Sequence, residues 1–167
     1  LRGSGSGAFY PEDTITRAEV CSMLAQALGI YTSGGNPFTD VTSQWYASAV
    51  GDMARMGFVE GVGGGRFAPE ETMSCQQFIT IMGRLAAFLN TEAYEFSQDP
   101  PVLDAGVPGG YASWAVDSLL LLTDFVMDEN SSAVSLLESL DPEAPILREE
   151  AAAILYHVLT GLGLLVY

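Results

Sequence analysis

The chain repeats itself, and that repetition limits its fold more than any other feature. Phe9 to Val20 lies over Phe67 to Phe78 at a constant shift of 58 positions, and Leu140 to Ala151 is a third copy a further 73 on. Each copy opens on an aromatic residue or Leu and places a proline two residues later (Pro11, Pro69, Pro142). An acidic residue, an apolar one and a tetrad follow, and each copy runs on into a segment with apolar residues at helical spacing. Self-similarity of this kind marks an array of small supersecondary units, each too small to bury its own apolar face.

A second block precedes the first. Phe38-Thr39-Asp40-Val41 leads through Trp45 to a segment ending Met56-Gly57-Phe58-Val59, and Leu103-Asp104 leads through Trp114 to a counterpart ending near Val126. Trp45 and Trp114 are 69 positions apart, and in that register Ala49, Val50 and Met53 match Ser118, Leu119 and Leu122. Apolar residues at this spacing line one face of a helix. Gly57 with apolar Phe58 behind it suits a left-handed helix stop. A full repeat therefore reads helix, Gly-rich loop, Pro turn, helix, and the fold class is all-α. The expected boundaries are residues 1–37 for a first repeat that keeps only its second half, 38–95 for the second and 96–167 for the third. Together they are expected to form one compact domain. The third repeat lacks a Gly-rich loop between Val126 and Leu140.

The tetrad separates helix initiation from a second role. Thr16 and Glu19 have the spacing of a capping box, in which each side chain satisfies the other residue's backbone N–H. Ser74 and Gln77 repeat it. Arg17 has no capping duty, and a cation at a helix N-terminus opposes the macrodipole. The second copy keeps the box and replaces the arginine with Cys75; the third keeps Arg148 and Glu150 and replaces the cap with Leu147. Cap and arginine vary independently, as two separate jobs would.

Charge excludes whole classes of function. The chain carries 21 acidic residues against six basic ones, all Arg, for a net charge of −15. Such a field repels nucleic-acid phosphates and anionic lipid. No apolar run approaches the roughly 18–20 residues of a membrane span, so no membrane insertion is expected. Cys21 and Cys75 have no metal-ligand spacing; a bridge between them is conceivable, and buried free thiols are the preferred reading. Glu70-Glu71 and Glu149-Glu150 are adjacent pairs at helix starts, which favours solvated caps over a glycosidase pair. Gly63-Gly64-Gly65 lacks the Lys and Ser/Thr of a phosphate loop. No EF-hand spacing exists, and the single histidine, His157, has no nucleophile in its sequence context. No enzyme, metal or cofactor is expected. The chain opens on Leu1 without a visible signal peptide, which suggests a mature form or a piece of a longer polypeptide.

The order Phe-x-Asp, Trp, helix, Gly-Phe-Val, glycines, Phe-x-Pro, Ile-Thr-Arg-Ala-Glu resembles the S-layer homology repeat. In the second repeat the correspondence runs from Phe38 to Arg84, and Thr16-Arg17-Ala18-Glu19 matches the family's signature tetrad. The resemblance implies a pseudo-threefold helical bundle with grooves between repeats. It also implies an extracellular place at the bacterial surface and non-covalent binding of secondary cell-wall polysaccharide, commonly one bearing a pyruvate ketal. Carried over residue by residue, Arg17 and Arg148 become carboxylate partners. Asp40, Trp45, Asp104 and Trp114 match the family's other block, and Gly61, Gly63 and Gly65 its loop. Each has a plainer reading: intramolecular salt bridges for the arginines, core positions first for the tryptophans, and loop or turn positions first for the aspartates. The alternative function is a protein–protein assembly module of a surface layer, filament or complex that has lost glycan binding, which Cys75 and the truncated first repeat favour. The seam beside helix 16–28 is then expected to be exposed, and filled by another chain or by a missing N-terminal segment.

Overall fold

A computed structural model of the chain describes residues 8–32, 34–98, 110–126 and 132–164. Among the described residues the structure is all-helical, with isolated β-bridges and no strand. The helices are α1 (Arg17–Leu28), α2 (Ala47–Arg55), α3 (Cys75–Leu89), α4 (Thr91–Gln98), α5 (Ser113–Leu120), α6 (Ser132–Ser139) and α7 (Arg148–Gly161). A π-helical turn, Leu121–Val126, continues α5.

The tetrads initiate helices as their chemistry dictates. Thr16 Oγ1 accepts the Glu19 N–H at 3.3 Å, and Glu19 accepts the Thr16 N–H at 2.9 Å. Ser74 and Gln77 repeat this at 3.4 and 3.1 Å ahead of α3. Leu147 has no side chain to offer α7, but Glu150 still accepts its N–H at 2.8 Å, so half of the box survives. At the far end of α2, Gly57 turns left-handed with φ +76°. Phe58 N–H then reaches the Met53 carbonyl at 3.0 Å and Gly57 N–H the Ala54 carbonyl at 3.1 Å. That is the six-to-one and five-to-two pairing of a Schellman stop.

The chain packs as two compact units. One holds Thr14–Met73 with the residues just before Tyr10; the other holds Tyr10–Asp13 with the chain from Ser74 onward. The division at Met73 falls inside the repeat expected over 38–95, so the packing unit and the sequence repeat are out of register. Backbone bonds explain why. In the first unit Arg17 N–H donates to the Glu71 carbonyl at 2.9 Å and Ala18 N–H to that of Pro69 at 3.0 Å. In the second, Cys75 and Gln76 make the same pair of bonds to Ala144 and Pro142, at 2.9 and 3.0 Å. Arg148 and Glu149 make it again to Asp13 and Pro11, at 2.8 and 3.1 Å. Each tetrad helix is thus docked on the Pro turn of a different copy, which satisfies N–H groups that a helix start leaves unpaired.

In the first unit α1 packs on α2 over a core that includes Ile15, Val20, Leu24, Val50, Met53, Phe58 and Phe67. Every residue of α1 from Arg17 to Ala25 except Glu19 is buried, and solvent reaches mainly the last turn. An exposed seam along this helix is therefore not found among the described residues. In the second unit α3 packs against α4, α5, the π-helical turn and α7, with Phe78, Ile79, Met82, Leu119, Leu122 and Ile154 buried. Two elements have no sequence expectation behind them. Helix α4 starts where Asn90 Oδ1 accepts the Glu92 and Ala93 N–H groups at 2.9 and 3.3 Å. Helix α6 occupies much of the stretch that carries the Gly-rich loop in the second repeat.

The tryptophans are a correction. Trp45 is 72% exposed and Trp114 54%, so neither is a core residue. Helix α2 begins only at Ala47, and its buried stripe is Tyr46, Val50 and Met53. The equivalent stripe in α5 and its continuation is Ala115, Leu119 and Leu122. The apolar face sits one residue C-terminal to each Trp, which turns both indoles to solvent.

Candidate functional site

The first unit gathers most of its candidate residues around one aromatic ring. Phe67 is fully buried, with the Phe38 ring 5.1 Å away. The Arg17 guanidinium lies over the Phe67 ring at 4.5 Å, within the range of a cation–π contact. Arg17 Nε donates to the Phe67 carbonyl at 2.9 Å and Nη2 to the Glu60 carbonyl at 2.8 Å. The residue is only 8% exposed. Neutral oxygens hold it, not the carboxylate of the salt-bridge reading, and Nη1 has no hydrogen-bond partner among the described residues. Burial lowers its pKa, opposed in part by the negative field of groups such as Glu71 and Asp40.

Asp40 closes the same site from the other side. Its Oδ1 accepts the Phe67 N–H and its Oδ2 the Ala68 N–H, both at 2.8 Å. Loss of water raises its pKa, but these N–H groups and nearby Arg66 outweigh that, leaving it below the usual carboxylate value. This pair of hydrogen bonds also fixes Ala68, which adopts a left-handed φ of +57°. A residue with a Cβ gives up roughly 1–2 kcal/mol to sit there. Asp40 is thus the loop residue of the plainer reading, placed against the ring that carries Arg17.

The glycines shape the loop between Glu60 and Phe67. Gly61 has a close-approach role: a Cβ there would lie 2.6 Å from the Arg66 carbonyl and 2.8 Å from Phe38 Cε1. Gly63, Gly64 and Gly65 are all left-handed, at φ +101°, +58° and +72°. They form a tight reversal closed by Val62 N–H to Arg66 O at 2.8 Å and tied to Thr39 N–H through the Gly65 carbonyl at 2.9 Å. Beside this loop Tyr46 donates to Glu70 Oε1 at 2.8 Å. Burial, then the bond and charge of Glu70, push its phenol up to about 12. Trp45 stands edge-on to Tyr46 with ring centres 5.3 Å apart, its indole open to water.

The second unit treats the equivalent position differently. Cys75 replaces the arginine, and its buried thiol is pushed up to about 12 by burial, with Glu150 and Asp141 adding to the shift. The next residue, Gln76, is 3% exposed and bonded at both ends of its amide. Its Nε2 donates to Glu143 Oε1 at 2.6 Å and its Oε1 accepts the Ala112 N–H at 2.9 Å. Sequence reasoning missed Gln76; an amide beside a lost arginine was the available signal. Arg148 is 7% exposed at the start of α7, and Trp114 lies on α5. Asp104 lies outside the described residues. Cys21 and Cys75 are free and buried, as the preferred reading had it. Among the described residues no cluster of His, Cys, Asp and Glu is grouped to hold a metal ion, and no helix is long and apolar enough to cross a membrane.

Residues 1–21 and 37–79 match the S-layer homology domain. The surface-layer 125 kDa protein of Lysinibacillus sphaericus is 26% identical over 155 residues, covering 92% of this chain and 12% of that protein. An endoglucanase of a Bacillus species is 25% identical over 156 residues, 93% of this chain and 16% of the enzyme. The cellulosome-anchoring protein of Acetivibrio thermocellus is 29% identical over 87 residues, 48% of this chain and 20% of that protein. The chain therefore spans about a fifth or less of each of these relatives. The match covers only a small part of the endoglucanase, and that enzyme's activity is not carried over to this chain. The chain is a cell-surface anchoring module associated with the bacterial cell wall.

Proposed function

Because residues 1–21 and 37–79 match the S-layer homology domain, we propose that the chain grips secondary cell-wall polysaccharide without covalent attachment. Arg17 receives an acidic substituent such as a pyruvate ketal. The observation that carries this reading is the state of Arg17: a buried cation held by two carbonyls, with one nitrogen unpartnered. A charge removed from water without a counter-ion is costly, and a ligand carboxylate supplies the missing partner. The guanidinium is already fixed, so little freedom is lost on binding. Asp40 and the Gly61–Gly65 loop hold the surrounding backbone, and the open face of Trp45 offers a platform for a sugar ring. Arg148, equally buried at the start of α7 on the first copy's Pro turn, is the second carboxylate partner, and Trp114 on α5 is the second exposed indole. Two weak sites on one polymer gain avidity through effective concentration.

The test is co-sedimentation with Gram-positive walls before and after extraction of their non-peptidoglycan polysaccharide. Binding lost on extraction, and lost in Arg17→Ala and Arg148→Ala, is the expected result. Binding that survives extraction refutes the reading. The assembly-module alternative draws on Cys75 and Gln76, where the arginine is gone and the neighbouring amide already satisfies Glu143 and Ala112. That reading predicts self-association or a protein partner and no wall binding.

A further inference from the structure

The reading of the Arg17 site leaves one question of access. The chain carries a net charge of −15, so an acidic glycan approaches against its field, and Arg17 is too deeply placed to draw it in. Among the described arginines Arg66 is the most solvent-open, with its side chain 62% exposed. Its backbone is rigidly set: Arg66 N–H donates to the Gly63 carbonyl at 3.1 Å, and its own carbonyl accepts from Val62 at 2.8 Å. Its side chain makes one long ion pair. The nearest carboxylate is Asp40, with Nε 3.7 Å from Oδ2, beyond hydrogen-bonding distance. Asp40 is already engaged, one oxygen on the Phe67 N–H and the other on the Ala68 N–H. The guanidinium therefore stands next to the Phe67–Asp40 centre with its donor fork unspent.

We propose that Arg66 is the specificity residue of this site, meeting the carboxylate of an acidic wall glycan from the solvent side while Arg17 holds the ligand from within. The proposal rests on the glycan-binding reading above. Asp40 serves both cations: it fixes the Phe67 backbone whose carbonyl holds Arg17, and it keeps Arg66 close without consuming it. A guanidinium fork pairs with a carboxylate through two parallel bonds, a geometry that a neutral sugar cannot reproduce. Arg66 thus sets the preference between acidic and neutral forms of one glycan and adds a salt-dependent component to association.

The experiment titrates the chain calorimetrically with a hexoside bearing a pyruvate ketal and with the same hexoside lacking it. Wild type, Arg66→Ala and Arg66→Lys are compared. Wild type is expected to favour the ketal form. Arg66→Ala is expected to lose about tenfold of that preference, the equivalent of about 1.4 kcal/mol, with its ketal-free affinity and thermal midpoint unchanged. Arg66→Lys keeps the charge, loses the fork and is expected to fall between. If wild type prefers the ketal form and Arg66→Ala keeps the whole preference, the role of Arg66 is refuted while the glycan reading stands. An Arg66→Ala variant that weakens both sugars equally refutes it too, because the residue would then only shape the loop. If wild type binds neither sugar, the glycan reading itself fails and takes the proposal with it.

Discussion

Arg17 is a structural keystone as well as the proposed binding residue, so its removal has a stability signature that can be measured apart from binding. Arg17→Ala deletes two hydrogen bonds from a charged donor, to the Phe67 and Glu60 carbonyls, and the stacking on the Phe67 ring. Hydrogen bonds to charged groups contribute about 1.5–3 kcal/mol each, and a desolvated cation–π contact about 2. Against this stands the cost of keeping a guanidinium out of water, several kcal/mol, which the mutation relieves. The net expectation is a loss of about 2–4 kcal/mol. At roughly 2–4 °C per kcal/mol for a chain of this size, the thermal midpoint should fall by about 5–15 °C in circular dichroism melts. Arg17→Lys retains the charge but gathers its donors on one nitrogen, and should recover less than half of the loss, since it cannot span both carbonyls. A midpoint for Arg17→Ala within about 1 °C of wild type refutes the reasoning, and the guanidinium would then be held for ligand alone.

Three other perturbations separate fold from site. Gly83→Ala should cost about 1–3 kcal/mol of stability by overpacking, because its Cβ would lie 2.5 Å from Ser118 Cβ and 2.8 Å from Ser118 Cα; the contact with Cα means that Ser118→Ala should not fully rescue the melt. Trp45→Ala and Trp114→Ala remove exposed side chains, so their melts should stay within about 0.5 kcal/mol of wild type while wall binding drops in sedimentation. Asp52 is 2% exposed, and although burial raises its pKa, the hydrogen bonds from Thr32 and the charge of Arg55 bring it below the usual carboxylate value. Its folded pKa is below its unfolded one, so its contribution is full above about pH 4 and is lost as pH falls through the folded value. Urea titrations between pH 6 and pH 2 should show this loss in wild type and a flatter profile in Asp52→Asn.

What could be read from the sequence was local. The capping boxes at Thr16 and Ser74, the left-handed stop at Gly57 and the register of the three Pro turns depend on residues a few positions apart, and all appear in the structure. The Trp blocks failed by one residue: an indole next to an apolar stripe reads as part of it, but α2 starts two residues after Trp45, and Tyr46 takes the buried place. The partners of Arg17 were not legible because they are main-chain carbonyls 43 and 50 positions away. A carbonyl leaves no mark in side-chain identity, so the surplus of acidic residues pointed to a salt bridge instead. Gln76 escaped notice for a related reason, since its partners Ala112 and Glu143 come together only when α3 docks on the third Pro turn. Helix α6 stands where the second repeat has its Gly-rich loop, so the repeat register does not point to it.

The account turns on Arg17 as the place where a wall glycan's acidic group is received. The most direct measurement follows the Arg17 Nε–H resonance of the labelled chain while solubilised wall polysaccharide is added. This proton is held on the Phe67 carbonyl and should be protected from exchange. The account predicts that it shifts in a saturable way, together with the Phe67 and Ala68 amides, and that removing the ketal from the polysaccharide abolishes the change. Saturable shifts confined to other parts of the chain, with Arg17, Phe67 and Ala68 unmoved, would contradict it.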